Sequence, residues 1–255
     1  MAEARGPSLR ERVLAGERVV GIFVQTPSPV VPELLGGLGV DFVCIDQEHS
    51  AIGPETVQAL VAGAALGSVP ALVRVADVTA AHIGAALDAG AAGVVVPRVS
   101  SAAAAAEVVR LARYPPLGER GLGPGRAAGY GRAVAEALTR ANEETLVAVQ
   151  IETRAAVDAL DEILGVDGVD LVFVGPGDLA ASLGLAGGIA DPDLVEVVEG
   201  VLTRTGEAGR AAGVFAVDNE QAAKWRQPGV ALLVVGSDLS FLATAVEGAW
   251  ATLRD

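Results

Sequence analysis

Short runs of Val, Ile, Leu and Phe alternate along the whole chain with Ala-rich stretches of helical period, and Gly, Pro or Asp marks most joins. The runs Val19 to Gln25, Phe42 to Glu48, Ala71 to Val75 and Gly93 to Val99 read as the first four strands. Leu146 to Glu152, Leu171 to Val174, Gly213 to Val217 and Leu232 to Gly236 read as the last four. Between them the spacing predicts helices after Pro29, over Pro54 to Gly67, Thr79 to Ala89, Ser101 to Tyr114 and Arg154 to Leu164. Further helices are expected near Asp178, over Pro192 to Ala208, Asn219 to Trp225 and Phe241 to Leu253. Ser100 or Ser101 is a natural N-cap. A longer insertion, Pro115 to Asn142, is rich in Gly and Arg before it turns helical.

Eight strands, each followed by a helix, in 255 residues match one (β/α)8 barrel spanning 1–255 as a single domain. The strands are nearly all apolar, as expected of a parallel sheet covered on both faces. A doubly wound open sheet is the competing architecture. It requires neither such even spacing nor polar residues at so many strand ends.

Charge narrows the function. The balance is 18 basic against 32 acidic residues, a net of −14, which disfavours phosphate backbones and anionic lipid. Nucleic acid and membrane are therefore not expected partners. The longest charge-free stretch considered, Thr56 to Val73, is interrupted by Gln58, Gly63, Gly67, Ser68 and Pro70, so it is no membrane span. With no apolar signal segment near the start and a single cysteine, Cys44, the expected compartment is the cytoplasm.

In a (β/α)8 barrel the chemistry gathers at the carboxyl ends of the strands. Those positions hold Asp46, Gln47, Glu48 and His49, then Arg74, Gln150 and Glu152, the turn Gly175-Pro176-Gly177-Asp178, and finally Ser237 and Asp238. Asp46 and Glu48 are two apart and share one side of a strand. Glu152 and Asp178 come from neighbouring strands, where carboxylates with open water positions suit magnesium or manganese. The Gly175 turn opens a helix, and its N–H groups suit a carboxylate or phosphate better than a dinucleotide.

Other chemistries fail on the residues. There is no H-E-x-x-H and no cysteine pair, and both histidines, His49 and His82, precede the only faint nucleophile elbow at Ser182. A Schiff-base enzyme needs a lysine at a strand end, whereas the one lysine, Lys224, falls in a predicted helix. Trp225, Trp250 and Cys44 read as packing residues.

The ordered motifs are D-x-E-H (Asp46 to His49), V-R-V (Val73 to Val75), L-D-A-G (Leu87 to Gly90) and V-P (Val96-Pro97). They continue with R-Y-P-P-x-G-x-R-G (Arg113 to Gly121), Q-I-E-T (Gln150 to Thr153) and G-P-x-D-L-x-x-S-L-G (Gly175 to Gly184). In that order they resemble the HpcH/HpaI aldolase and citrate lyase family from about Gly21 to the C-terminus. The resemblance implies a metal-dependent pyruvate aldolase, with Glu152 and Asp178 as direct ligands of Mg2+, Mn2+ or Co2+ and Asp46 reaching the metal through water. It further implies His49 as the acid/base, oriented by Asp88, and Arg74 beside the keto oxygen. Gln150, Gly175, Pro176 and Gly177 are expected to bind substrate. The family tryptophan after the first-strand glycine is replaced here, since Ile22 and Phe23 follow Gly21.

The function so implied is reversible cleavage of 4-hydroxy-2-oxo acids to pyruvate, or a close 2-oxo acid, and an aldehyde. A malyl- or citramalyl-CoA lyase is the nearer alternative, disfavoured because no basic patch suits the CoA phosphates. A non-catalytic 2-oxo acid binding protein is the alternative from another class. The resemblance also implies a homo-oligomer, a hexamer by preference, whose C-terminal helix packs on a neighbour. Burial of that helix on its own barrel is the competing expectation.

Overall fold

The computed structural model describes residues 6–254. A short helix α1 (Leu9–Leu14) precedes β1 (Val19–Val24) and α2 (Val30–Gly36). Then follow β2 (Phe42–Asp46), α3 (Pro54–Leu66), β3 (Ala71–Arg74), α4 (Ala80–Asp88), β4 (Gly93–Val96) and α5 (Ala102–Ala112). The insertion holds a single 3-10 turn, Arg126–Ala128, and α6 (Val134–Glu144). The second half runs β5 (Leu146–Ile151), α7 (Arg154–Asp158), α8 (Leu160–Leu164), β6 (Leu171–Val174), α9 (Pro176–Leu183) and α10 (Pro192–Glu207). It ends with β7 (Ala211–Ala216), α11 (Asn219–Lys224), β8 (Val230–Ser237) and α12 (Asp238–Arg254). All eight strands are parallel and close in chain order, β1 pairing with both β2 and β8. The expected (β/α)8 barrel is the observed one.

Two apolar cores follow from the period-two alternation of the strands. Val43, Ile45, Val73, Val94, Val149 and Val172 face outward and pack under the helices. Phe23, Phe42, Cys44, Leu72, Val95, Ala148 and Phe173 fill the lumen instead. The burial that makes Cys44 a packing residue pushes its thiol up to about 12. Helix α1 adds Leu9 and Val13 to the lumen core, and its start is fixed by a reciprocal cap between Ser8 and Glu11.

The end of the barrel carrying the strand N-termini is closed by charge as well. Buried Asp170 accepts from Arg10 Nε (3.0 Å) and Nη2 (2.8 Å), from Arg113 Nη2 (2.7 Å) and from the Val147 N–H (2.9 Å). Arg113 completes its set on the Thr145 and Asn142 carbonyls.

Local departures from the sequence reading have tertiary causes. Ser101, not Ser100, caps α5, accepting from the Ala104 N–H. The expected helix Arg154 to Leu164 breaks at Ala159, which turns Leu160, Ile163 and Leu164 into the core. Strands β7 and β8 each start two residues early because Ala211 pairs with Leu171 and Val230 with Ala212, extending runs that propensity alone ends. The largest departure is α12, which buries no residue at all. The expectation that it packs on its own barrel is therefore wrong. Among the described residues no helix is long and apolar enough to cross a membrane.

Candidate active site

Inward-facing positions change character towards the strand C-termini. On β2 the lumen row runs Phe42, Cys44, Asp46; on β3, Leu72, Arg74; on β5, Leu146, Ala148, Gln150, with Glu152 just beyond. The same alternation that builds the lumen core thus delivers its last members to the mouth as polar groups. Strand pairing sets Asp46 directly beside Arg74.

Asp46 is fully buried and saturated. It accepts from Arg74 Nε (3.0 Å) and Nη2 (2.9 Å), from Gln25 Nε2 (3.0 Å) and from the N–H groups of Glu48 and His49 (3.1 Å each). Burial opposes its ionisation, but the bonds and charge of Arg74, aided by Gln25 and the His49 N–H, prevail and hold the carboxyl below its usual range. Arg74 lies with its guanidinium carbon 4.2 Å from the centre of the Phe23 ring, and Phe23 in turn meets Phe215 at 5.5 Å.

The other carboxylates are less well served. Glu48 Oε2 and Gln150 Oε1 are buried without a hydrogen-bond partner. Burial pushes the Glu48 carboxyl up, and the charge of Glu152 adds to the effect, against the opposing pull of Arg74. Glu152 is also pushed up, chiefly by burial, although it accepts from Gln150 Nε2 and, at 2.6 Å, from the backbone N–H of Arg98. Asp178 stands in the first turn of α9 and His49 on the loop after β2. His49 Nε2 lies 3.5 Å from Asp178 Oδ2 and 3.7 Å from Glu48 Oε2. Gly175 permits this crowding: a Cβ there would lie 3.0 Å from Gln150 Nε2 and 3.1 Å from Glu152 Oε2. Beside these groups opens a cavity of about 340 Å3, lined by His49, Arg74, Asp178 and the Gly175–Gly177 turn on one side and by Phe23 and Phe215 on the other.

Among the described residues no group of three or more His, Cys, Asp and Glu side chains is assembled as a complete metal cage. The donor set fits a hard divalent cation that keeps open positions. The charge of Asp178 adds to the burial that raises the Glu152 carboxyl, and the nearby oxygens Glu48 Oε2 and Gln150 Oε1 lack donors.

Residues 19–245 match the HpcH/HpaI aldolase/citrate lyase family. The chain belongs to this family. A hydroxypyruvate/pyruvate aldolase of Roseovarius nubinhibens is 38% identical over 92% of both chains. A 2-keto-3-deoxy-L-rhamnonate aldolase of Klebsiella pneumoniae is 39% identical over 92% of this chain and 88% of its own. Among solved structures, an HpcH/HpaI aldolase/citrate lyase family protein of Burkholderia cenocepacia superposes with a TM-score of 0.92 at 35% identity, covering 97% of this chain and 99% of that one. The resemblance read from the motifs, and the aldolase class that it implied, are borne out.

Within this family member, Asp46, His49, Arg74, Gln150, Glu152, Gly175, Pro176, Gly177 and Asp178 come together at one mouth. Asp88 does not. It ends α4, at the opposite end of the barrel, and accepts from Arg120 Nη2 at 2.7 Å. A helix that follows a strand carries the chain back to the other face, so Asp88 cannot orient the His49 of its own chain, and that expectation is corrected. Lys224 is exposed, 3.1 Å from Glu220, and ends a helix running away from the mouth. Sequence reasoning singled out Phe23 only as a departure from the family tryptophan and passed over Phe215, Gln25 and Arg98 as site residues. Gln25 was findable, since it continues the lumen row of β1 at the same alternate positions as Val19, Gly21 and Phe23.

Proposed function

We propose that this chain is a divalent-metal-dependent aldolase that cleaves 4-hydroxy-2-oxo acids to pyruvate, or a close 2-oxo acid, and an aldehyde. The observation that carries the reading is the convergence of Asp178, Arg74 and His49 on one cavity of small-molecule size, with Glu152 against the Gly175 turn that lines it. Glu152 and Asp178 would hold the cation, whose chemistry when bound is Lewis-acid polarisation of a 2-oxo acid's keto group. The metal is Mg2+, Mn2+ or Co2+ in this reading.

The remaining work falls to protein groups. Arg74 has its orientation set in plane by Asp46 and on one face by Phe23, so its remaining N–H groups meet the oxygen on which enolate charge develops. The N–H groups that open α9 at Gly177 and Asp178 suit the carboxylate of the 2-oxo acid. His49 takes the proton of the 4-hydroxyl as the C3–C4 bond breaks, the aldehyde leaves, and the bond's electrons pass into the enolate. Protonation at C3 then releases pyruvate. No imine forms, because the chain's one lysine is remote.

Assembly completes the reading. Helix α12 exposes Phe241, Leu242, Val246, Trp250 and Leu253, and an apolar face of that extent on a packed enzyme calls for a second copy. A homo-oligomer, a hexamer by family resemblance, covers it. Asp88 could approach a His49 only across such an interface. Pyruvate release from a panel of 4-hydroxy-2-oxo acids with magnesium, manganese or cobalt tests the reaction. Absence of turnover with every aldehyde, in both directions, rejects it. Light scattering that finds a monomer at working concentration rejects the assembly.

A further inference from the structure

Asp238 stands at a strand end without a part in the reaction as described. It is the first residue of α12, and both of its carboxyl oxygens are engaged by the loop after β1. Oδ1 accepts from the Gln25 N–H (2.9 Å) and from the Leu239 N–H (3.0 Å), and Oδ2 from the Thr26 N–H (3.0 Å). β1 ends at Val24, so the Gln25 and Thr26 N–H groups lie beyond the strand, and the carboxyl group serves as their acceptor there. A tight turn fixes Asp238 in its own place. Gly236 has a left-handed backbone (φ 59°), and a Cβ there would lie 2.9 Å from Ser240 Oγ. Ser237 and Ser240 cap each other, each N–H donating to the other's Oγ at 2.8 and 3.1 Å.

Gln25 carries this hold into the site. Its Nε2 donates to Asp46 Oδ2 at 3.0 Å, and its side chain lines the cavity. The two oxygens of Asp46 are anchored unequally. Oδ1 accepts from Arg74 Nε and from the Glu48 and His49 N–H groups, whereas Oδ2 accepts from Arg74 Nη2 and Gln25 Nε2. Among the described residues Gln25 is thus the one donor to Oδ2 other than Arg74 itself. Without it the carboxylate and the guanidinium can turn together about Oδ1. Phe23 meets the flat face of Arg74 and does not oppose a turn in that plane.

We propose that Gln25 is a positioning residue for Arg74, and that Asp238 sets Gln25 in place from the start of α12. The inference rests on the aldolase reading, in which Arg74 meets the oxygen on which enolate charge develops. A donor fork aimed at that oxygen acts on the transition state more than on the bound ketone. Its misalignment therefore falls on kcat and spares KM. Through the same contacts α12, which its own barrel leaves uncovered, is joined to the arginine at the mouth.

The test combines turnover with binding that requires none. Gln25→Ala should lower kcat on the best 4-hydroxy-2-oxo acid about tenfold, the weight of one hydrogen bond, with KM held within about twofold. Oxalate is a planar dianion with the shape and charge of pyruvate enolate. In calorimetry with magnesium it should bind Gln25→Ala about tenfold less tightly than wild type, whereas pyruvate should weaken less than about twofold. Asp238→Ala should lower kcat about threefold alone and no further when added to Gln25→Ala, because its effect passes through Gln25. Its cost in melting temperature should be equal in both backgrounds, a separation that a merely structural role does not give. Asp238→Asn keeps one acceptor and repeats the test if Asp238→Ala disturbs folding. Asp191→Ala removes a carboxyl group from the start of α10 and should leave kcat unchanged. An unchanged kcat in Gln25→Ala, equal weakening of oxalate and pyruvate, multiplied kcat losses in the double variant, or no binding of oxalate overturns the proposal. A Gln25-dependent preference for oxalate in a protein that releases no pyruvate from any hydroxy-oxo acid would instead reject the aldolase reading and keep the positioning role.

Discussion

The two ends of the barrel bury carboxylates in opposite ways. At the strand N-termini Asp170 is enclosed by Arg10, Arg113 and the Val147 N–H, and Arg113 meets two further carbonyls. At the strand C-termini Glu48 and Glu152 are buried close to each other and to Asp178, and Glu48 Oε2 lacks a donor. Asp46 is the exception there, because Arg74 pairs with it. One end is electrostatically closed and holds the fold; the other is left short of positive charge. A buried carboxylate with no partner costs stability, so such a cluster marks the place where something else is to bind.

The largest effect expected from breaking this contrast is on turnover. Glu152→Gln should lower pyruvate release more than about a thousandfold, because a neutral amide holds a cation poorly, while circular dichroism stays native. Retention of activity would remove Glu152 from the metal site. At the other end, Asp170→Ala should destabilise the protein by about 3 kcal/mol in urea titrations by leaving buried Arg113 unpaired, yet kcat of the folded fraction should hold. A selective loss of kcat would show that the two ends are coupled.

Smaller and opposite in sign is Glu48→Gln. The folded protein raises the carboxyl of Glu48 above its unfolded value, so its neutral form is favoured by folding. Its contribution is therefore favourable below the ordinary carboxylate range and is lost as pH rises through the raised value. Metal-free Glu48→Gln should gain about 1 kcal/mol at neutral pH, and the gain should vanish on acidification, as read by thermal melts across that window. Asp46 behaves inversely: its depressed carboxyl supports the fold at neutral pH and gives way only in acid. The smallest effect expected is none: Lys224→Ala should leave turnover unchanged, and borohydride with pyruvate should leave the protein unmodified. Trapping of pyruvate on Lys224 would overturn the metal mechanism.

Much of this was legible in the chain itself. Apolar runs alternating with Ala-rich helices specify eight βα units, and a closed parallel barrel is the arrangement that buries all of them. Since side chains alternate along a strand, the last inward residues of β2, β3 and β5 could be placed at one mouth without a structure. The family motifs named the same positions. Asp88 shows the limit: its motif was recognisable, but a motif does not say at which end of the barrel a helix terminus falls.

What local sequence determined was therefore whatever depends on short-range period: element type, strand order, the inward rows and their polar ends. Tertiary structure decided what depends on non-local neighbours. Pairing with partner strands lengthened β7 and β8, and closure of the barrel separated Asp88 from His49 by carrying α4 back to the opposite face. The amphipathic pattern of α12 reads the same whether its apolar face lies on its own barrel or on another, and only the fold showed that its own barrel leaves it bare. Nor does local period tell a saturated carboxylate from an unsatisfied one. Asp46 and Glu48 are two residues apart on one chain, and the difference between them is Arg74, which arrives from the next strand.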